Sequence, residues 1–141
     1  MTQHRHLMEI YRSRAPVTLP PTATVRQAAR LMRERKVGAI LVTDEDGKLL
    51  GIFTGRDAIG RVLAEGRSAA RTTLAEVMTA DPATLPAGAN AVEALHLMRD
   101  GGFRHVPVVH QGRLAGITSF ADFRGVERAR LDDETGYWEI M

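Results

Sequence analysis

The sequence contains no cysteine, and this absence excludes several kinds of chemistry at once. A chain without thiols forms no disulfide, offers no thiolate ligands to a metal and has no cysteine nucleophile. No apolar run approaches the roughly 20 residues that a membrane-spanning helix needs. The first residues, 1–6, also lack the apolar segment of a secretory signal. We therefore expect a cytosolic (cytoplasmic) protein with no membrane association.

The sequence also has little excess charge. Its formal net charge is only +2, with 19 basic residues scattered among 17 acidic ones. Nucleic-acid binding normally requires a clustered basic surface, so we expect no nucleic-acid partner. Two histidines near the N-terminus, His4 and His6, have no accompanying carboxylate, and we expect a frayed chain end there and no metal site.

The chain does contain an internal repeat. Residues 51–57 read Gly-Ile-Phe-Thr-Gly-Arg-Asp, and residues 116–122 read Gly-Ile-Thr-Ser-Phe-Ala-Asp. Upstream, residues 17–20 reappear 66 positions later at 83–86, and the offset falls to 65 after the turn at 44–47. Because the two copies stay in register over most of their length, the chain is a duplication.

Each copy has the pattern of a β-α-β-β-α unit, so we predict a mixed α/β (α+β) fold. In the first copy, residues 22–24 carry hydroxyls suited to capping a helix, and apolar residues then recur at helical spacing. The apolar run 37–42 is typical of a strand covered on both faces, and 44–47 is typical of a turn. The first copy continues with a predicted strand over 48–53 and a helix that starts at Asp57. In the second copy we predict a helix over 90–100, strands around 106–109 and 114–118, and a helix over 121–131.

This duplicated order, closed in each copy by Gly-apolar-x-Thr/Ser-x-x-Asp, resembles a tandem pair of CBS domains, a Bateman module. The resemblance includes the run Phe-Arg-His-Val-Pro-Val-Val at 103–109 and is closest to small stand-alone bacterial CBS-pair proteins. It implies two repeats packed with pseudo-twofold symmetry, two clefts for an adenosine ligand, and a homodimer. The predicted divisions are an N-terminal extension (1–15), a first repeat (16–65), a linker (66–76), a second repeat (77–131) and an acidic, aromatic C-terminal tail (132–141).

The motif residues suit the parts of a nucleotide. An ionised carboxylate accepts hydrogen bonds from both ribose hydroxyls, and Asp57 and Asp122 hold this position. A phosphate favours hydrogen-bond donors and positive charge at the start of a helix. Thr54 and Arg56 supply both in the first copy, whereas Ser119 supplies only the hydroxyl in the second, where residue 121 is alanine.

The missing charge in the second copy is expected from Arg104 and His105. Because the two copies carry their positive charge differently, we predict two sites of unequal affinity. By analogy with the family, each cleft takes residues from both copies, with apolar slots for the adenine. The predicted nucleotide-binding residues are Val17, Val37, Gly38, Ala39, Ile52, Thr54, Arg56, Asp57, Ala83, Phe103, Arg104, His105, Ile117, Ser119 and Asp122.

Several of these residues also have ordinary structural explanations. Either motif aspartate would serve as a carboxylate in the first turn of a helix, and either motif hydroxyl would serve as a helix cap. Arg104 and His105 would equally be surface residues at the entrance to a strand. Outside the repeat, we expect Tyr137 and Trp138 to dock on the domain or on a partner, because a lone tryptophan is rarely left in water.

The sequence therefore predicts a non-catalytic sensor that binds AMP, or a relative such as ATP, NAD(H) or S-adenosylmethionine, and acts on an unidentified protein partner. No cofactor is required. The alternative is a dimerisation or protein-interaction module with vestigial clefts. An enzyme is not predicted, because the sequence has neither a Walker-type phosphate loop nor a Ser-His-Asp arrangement in suggestive context.

Overall fold

The computed structural model describes residues 16–102 and 104–120 of the 141-residue chain. These residues divide into two compact units. The first unit comprises residues 16–82 with 112–114, and the described part of the second unit comprises 83–102, 104–111 and 115–120. Both units contain strands and helices, which confirms the predicted mixed fold.

The first helix, α1, spans Val25–Arg35 and begins where the sequence predicts. The Thr24 hydroxyl oxygen accepts the backbone N–H of Gln27 at 3.1 Å, and the Gln27 side chain accepts the N–H of Thr24 at 2.8 Å. This reciprocal capping satisfies two backbone donors that the first turn leaves free. The helix ends at Lys36, which adopts a left-handed conformation with φ 56°.

The sheet of the first unit has four strands in the order β1 (Thr18–Leu19), β2 (Ala39–Thr43), β3 (Leu49–Thr54) and β4 (Thr79–Ala80). β1 runs parallel to β2, and the other two pairings are antiparallel. Ala39 to Val42 are all buried, as predicted for a strand covered on both faces. The strand begins at Ala39 rather than at Val37, because the N–H of Val37 is still bonded to the carbonyl of Met32 in α1.

The turn between β2 and β3 forms as predicted. One carboxylate oxygen of Asp44 accepts the backbone N–H groups of Asp46 and Lys48, both at 2.9 Å. Gly47 follows with φ 82°, a conformation that glycine adopts without steric cost. The Asp44 side chain therefore stabilises the turn.

The helix after β3 starts earlier than predicted. It begins as α2 (Gly55–Asp57) and continues as a π-helical segment over Ala58–Leu63. The predicted start at Asp57 was two residues late, because Thr54 is the capping residue and Asp57 occupies the third helical position. A further short helix, α3 (Leu74–Val77), lies across the end of the predicted linker, and its Leu74 is fully buried in the first core.

The second unit repeats the same local plan. β5 (Leu85–Pro86), β6 (His105–His110) and β7 (Arg113–Ser119) form a three-stranded sheet, and α4 spans Ala91–Gly101. Asn90 caps α4 by accepting the N–H of Glu93 at 2.9 Å. Leu85 lies opposite Val108 in a parallel pair, just as Leu19 lies opposite Val42 in the first sheet. The helix predicted over 121–131 lies outside the described residues.

Each unit has its own apolar core. In the first, buried residues of α1, β2 and β3 meet Val62, Leu74 and Val77. In the second, α4 contributes Leu95 and Met98, which pack with buried residues of β6. Within the described ranges no helix is long and apolar enough to cross a bilayer.

Candidate functional site

The first copy of the motif forms a closed turn between β3 and α2. The carboxylate oxygen Oδ2 of Asp57 accepts the Thr54 backbone N–H at 3.0 Å and the Thr54 hydroxyl at 3.1 Å. In return, the Asp57 N–H donates to the Thr54 hydroxyl oxygen at 3.4 Å. The three-residue spacing of hydroxyl and carboxylate therefore makes a capping box, one of the structural roles that the sequence left open.

The other carboxylate oxygen of Asp57 is also engaged. Oδ1 accepts the Thr79 hydroxyl at 3.2 Å and lies 3.6 Å from Nε of Arg61. Asp57 is only 8% exposed. A carboxylate has about four acceptor positions, and each oxygen of Asp57 already faces two donors. Asp57 is therefore an anchor of the first unit, and its predicted contact with a ribose stays a prediction.

Arg61 extends this anchor to the end of α3. Its Nη1 donates to the carbonyl of Met78 at 2.8 Å and to that of Val77 at 3.4 Å. The guanidinium thus ties the π-helical segment to the chain that enters β4. Sequence reasoning missed Arg61, although its position four residues after Asp57 was a detectable pattern. It also missed Thr79, which lies 22 residues from Asp57 and gave no local pattern.

In the second copy, an arginine and an aromatic ring meet at the end of β7. The N–H of Phe120, which follows the buried Ser119, donates to the carbonyl of Arg104 at 2.8 Å. The Arg104 guanidinium carbon lies 5.1 Å from the centre of the Phe120 ring, within the range of a cation–π contact. Phe120 was not among the predicted site residues.

The first copy has the matching backbone bond but no side chains to stack. The N–H of Gly55 donates to the carbonyl of Gly38 at 3.3 Å. Gly38 and Gly55 occupy the positions of Arg104 and Phe120 in the repeat. The two copies therefore share a backbone frame at this point, defined by this hydrogen bond, and differ in the side chains attached to it.

The structure places several of the predicted residues near the end of one sheet or the other. In the first unit, Ala39 pairs with Thr54, and the Gly38–Gly55 bond lies beside that pair. In the second unit, Arg104 immediately precedes β6, His105 is its first residue, and Ser119 ends β7.

The remaining predicted residues are more scattered. Val17 accepts the N–H of Leu41 at 2.9 Å, and Ala83 is exposed just before β5. Val37 lies just before β2, Ile52 and Ile117 are buried in β3 and β7, and Arg56 is exposed in α2. The predicted contacts of Phe103, Asp122, Tyr137 and Trp138 fall outside the described residues.

No group of three or more histidine, aspartate or glutamate side chains in the described ranges is arranged to hold a metal ion. Besides the Asp57 carboxylate and His105, the groups at the sheet ends are hydroxyls, backbone amides and arginines. These groups recognise anions and polar hydroxyls.

Comparison with known proteins gives this arrangement a family. The CBS-domain family model matches residues 8–64 and 74–127. A CBS domain-containing protein of Arabidopsis thaliana is 37% identical over 105 residues, which cover 74% of this chain but only 19% of that protein. The chain thus spans about a fifth of the length of that relative.

Two solved structures extend the comparison. A CBS domain protein from Pyrobaculum aerophilum, complexed with AMP, superposes with a TM-score of 0.82 at 27% identity, over 91% of this chain and 98% of that one. A hexameric CBS-CP12 protein from bloom-forming cyanobacteria has a TM-score of 0.76 at 26% identity, over 86% of this chain and 67% of that one. Two family matches in tandem, on a chain whose two units repeat one plan, show that this protein belongs to the CBS-domain family and is a CBS-pair regulatory module.

Proposed function

We propose that this chain is a cytosolic, non-catalytic sensor that binds an adenine nucleotide, with AMP as the first ligand to test. The observation that carries the proposal is the backbone hydrogen bond repeated at the end of each sheet, from Gly55 to Gly38 beside Thr54 in one unit and from Phe120 to Arg104 beside Ser119 in the other. The similar Pyrobaculum aerophilum protein is complexed with AMP, which supports this choice of ligand.

The two copies are unequal in the proposed binding. In the first, the donors around Asp57 already occupy its carboxylate, so a ribose diol would compete with the Thr79 hydroxyl and with Arg61. In the second, the exposed guanidinium of Arg104 lies beside the residue that follows Ser119 and offers a fork of donors to a phosphate. We therefore propose a stronger, phosphate-dependent site that uses the second copy, and a weaker site that uses the first.

Calorimetric titration of the chain with AMP, ATP, NAD, S-adenosylmethionine and adenosine tests this proposal. We expect AMP to bind and to raise the thermal unfolding midpoint as its concentration increases, since a ligand that binds only the folded state stabilises it. Asp122→Ala should weaken one site, whereas Asp100→Ala, which removes an exposed carboxylate from the end of α4, should change nothing. Unchanged affinity and stoichiometry in Asp122→Ala would contradict the site assignment, and two identical sites would contradict their inequality.

A second function, self-association, is favoured by an apolar pair on the π-helical segment. Ile59 is 65% exposed and Leu63 is 73% exposed, four residues apart. Large apolar side chains left in water in this way favour an interface. The hexameric state of the cyanobacterial relative supports assembly of this chain, and the homodimer that the family resemblance implies is the state we propose.

Sedimentation of Ile59→Lys and Leu63→Glu tests the proposed dimer. Each variant should sediment as a monomer at concentrations where the wild-type chain is a dimer. A wild-type chain that is monomeric throughout would refute the dimer without affecting the nucleotide proposal. If nucleotides never bind but the dimer forms, the chain is an interaction module. If the oligomeric state instead changes when nucleotide binds, that change would be the signal by which a protein partner senses the ligand.

A further inference from the structure

The contact between Arg104 and Phe120 is built from two independent attachments. The backbone bond from the Phe120 N–H to the Arg104 carbonyl, at 2.8 Å, fixes the main chains beside each other. The guanidinium then lies 5.1 Å from the ring centre. Phe120 also packs against the apolar core of the second unit. The ring is therefore held by the core and gives the guanidinium a fixed surface.

The fold does not require this pair of side chains. Gly38 and Gly55 hold the matching positions in the first copy and make the matching backbone bond at 3.3 Å. A Cβ atom placed on Gly55 would meet no atom within 4 Å, so the glycine is not imposed by crowding. Because the same frame forms without an arginine or an aromatic ring, the stacked pair is an addition specific to the second copy.

We propose that Phe120 is a positioning residue, which holds the Arg104 guanidinium ready for the phosphate of a bound nucleotide and so makes the second copy discriminate nucleotides from nucleosides. This inference rests on the proposed nucleotide binding. An arginine gives up much of its side-chain freedom when it binds a phosphate, and a guanidinium already stacked on a fixed ring has less freedom to lose. The ring acts only through Arg104, so it should affect the phosphate and leave the nucleoside unaffected.

The test compares AMP with adenosine in variants of the whole chain. Phe120→Leu keeps an apolar side chain against the core but removes the ring, and it should weaken AMP binding about two- to five-fold, as expected for an exposed cation–π contact. Adenosine affinity should stay at its wild-type value. Phe120→Tyr keeps a ring and should restore AMP affinity. Arg113→Gln removes an exposed positive charge at the far end of β7 and serves as the charge control.

A second arm asks whether the ring acts through the arginine. In an Arg104→Gln background, Phe120→Leu should cause no further loss of AMP affinity, since there is no guanidinium left to position. The thermal midpoint of each variant without ligand shows whether it is folded. An equal loss of AMP and adenosine affinity in Phe120→Leu, or the same loss in the Arg104→Gln background, would overturn the positioning role.

The remaining outcomes separate this inference from the proposed function. Wild-type chain that binds AMP, with an unchanged AMP-to-adenosine ratio in Phe120→Leu, overturns the inference alone. Tighter AMP binding by Phe120→Leu also overturns it, because the ring would then hold the guanidinium away from the phosphate. Wild-type chain that binds neither ligand overturns both.

Discussion

Thr118 offers a stability test of the repeat that needs no ligand. It lies in β7 with no exposed surface, and its hydroxyl has no hydrogen-bond partner within the part of the chain that the structure describes. The matching residue of the first copy is Phe53, which is also fully buried. The site is therefore apolar in one copy and holds an unsatisfied hydroxyl in the other. Thr118→Val replaces that hydroxyl with a methyl group of similar size.

The magnitude follows from the burial. An unsatisfied buried hydroxyl costs about 1–3 kcal/mol in desolvation, which valine does not incur. The side chain is already enclosed, so the new methyl group needs no extra space. We expect Thr118→Val to raise the free energy of unfolding by about 1–2 kcal/mol. For a chain of this length that corresponds to a thermal midpoint about 3–6 °C higher.

Urea denaturation and calorimetry measure this change. The urea midpoint should rise with an unchanged dependence on denaturant, since the surface exposed on unfolding stays the same. Thr118→Ser is the matched control, because it keeps the hydroxyl and removes the methyl group. That variant should be less stable than the wild-type chain by about 1 kcal/mol.

An unchanged or lower stability of Thr118→Val would refute the reasoning. It would mean that the hydroxyl is hydrogen-bonded in solution, to a buried water or to a residue beyond the described ranges. A gain in both Thr118→Val and Thr118→Ser would point to relief of crowding instead. Only a gain with valine and a loss with serine identifies the unsatisfied hydroxyl as the cause.

Two further predictions concern the first unit. Gly51→Ala should cost about 1–3 kcal/mol of stability, because its Cβ would lie 2.5 Å from the Met78 sulfur and 2.9 Å from the backbone carbonyl oxygen of Thr79. Chemical denaturation measures this cost. Gly60→Ala is the control, and its stability should be equal to or higher than that of the wild-type chain, because its Cβ would meet nothing within 4 Å. Backbone and hydroxyl hydrogen bonds from Thr73 hold the pKa of Glu76 below its ordinary value of 4.5. The stabilisation linked to this carboxylate is thus present above about pH 4.5 and is lost as the pH falls through the lowered pKa. In an NMR titration, Thr73→Val should raise the pKa of Glu76 toward its ordinary value, because the hydroxyl donor is lost. The rise should be incomplete, because the backbone donor remains. An unchanged pKa would contradict a contribution from the hydroxyl.

The parts of the fold that sequence reasoning predicted are those encoded within a few residues. The Asp44 turn and the cap at Thr24 each depend on a side chain that bonds a backbone group two to four residues away. The strand β2 was predicted from its unbroken apolar run. Its first residue was misplaced because the final bond of α1, from Val37 to Met32, also uses residues of that run.

The site was less predictable, because its important contacts join distant residues. The Thr79–Asp57 hydrogen bond spans 22 residues, and no periodicity links them. The Arg104–Phe120 contact spans 16 residues, but its two members lie at equal distances from the turn at Gly112. Antiparallel pairing across that turn would have placed them opposite each other. The pattern was present in the sequence and would have added Phe120 to the site.

The two copies are more alike in backbone geometry than in the side chains at matching positions. The second copy has a threonine where the first buries Phe53, and more residues of its helix are buried. Five residues of α4 are buried, including Leu95 and Met98, against two in α1. An aromatic ring stands instead at position 120, on the rim of the core, where it meets an arginine. Because the frame is shared, the difference between the copies lies in the chemistry of these side chains, and the proposed inequality of the two sites depends on that difference.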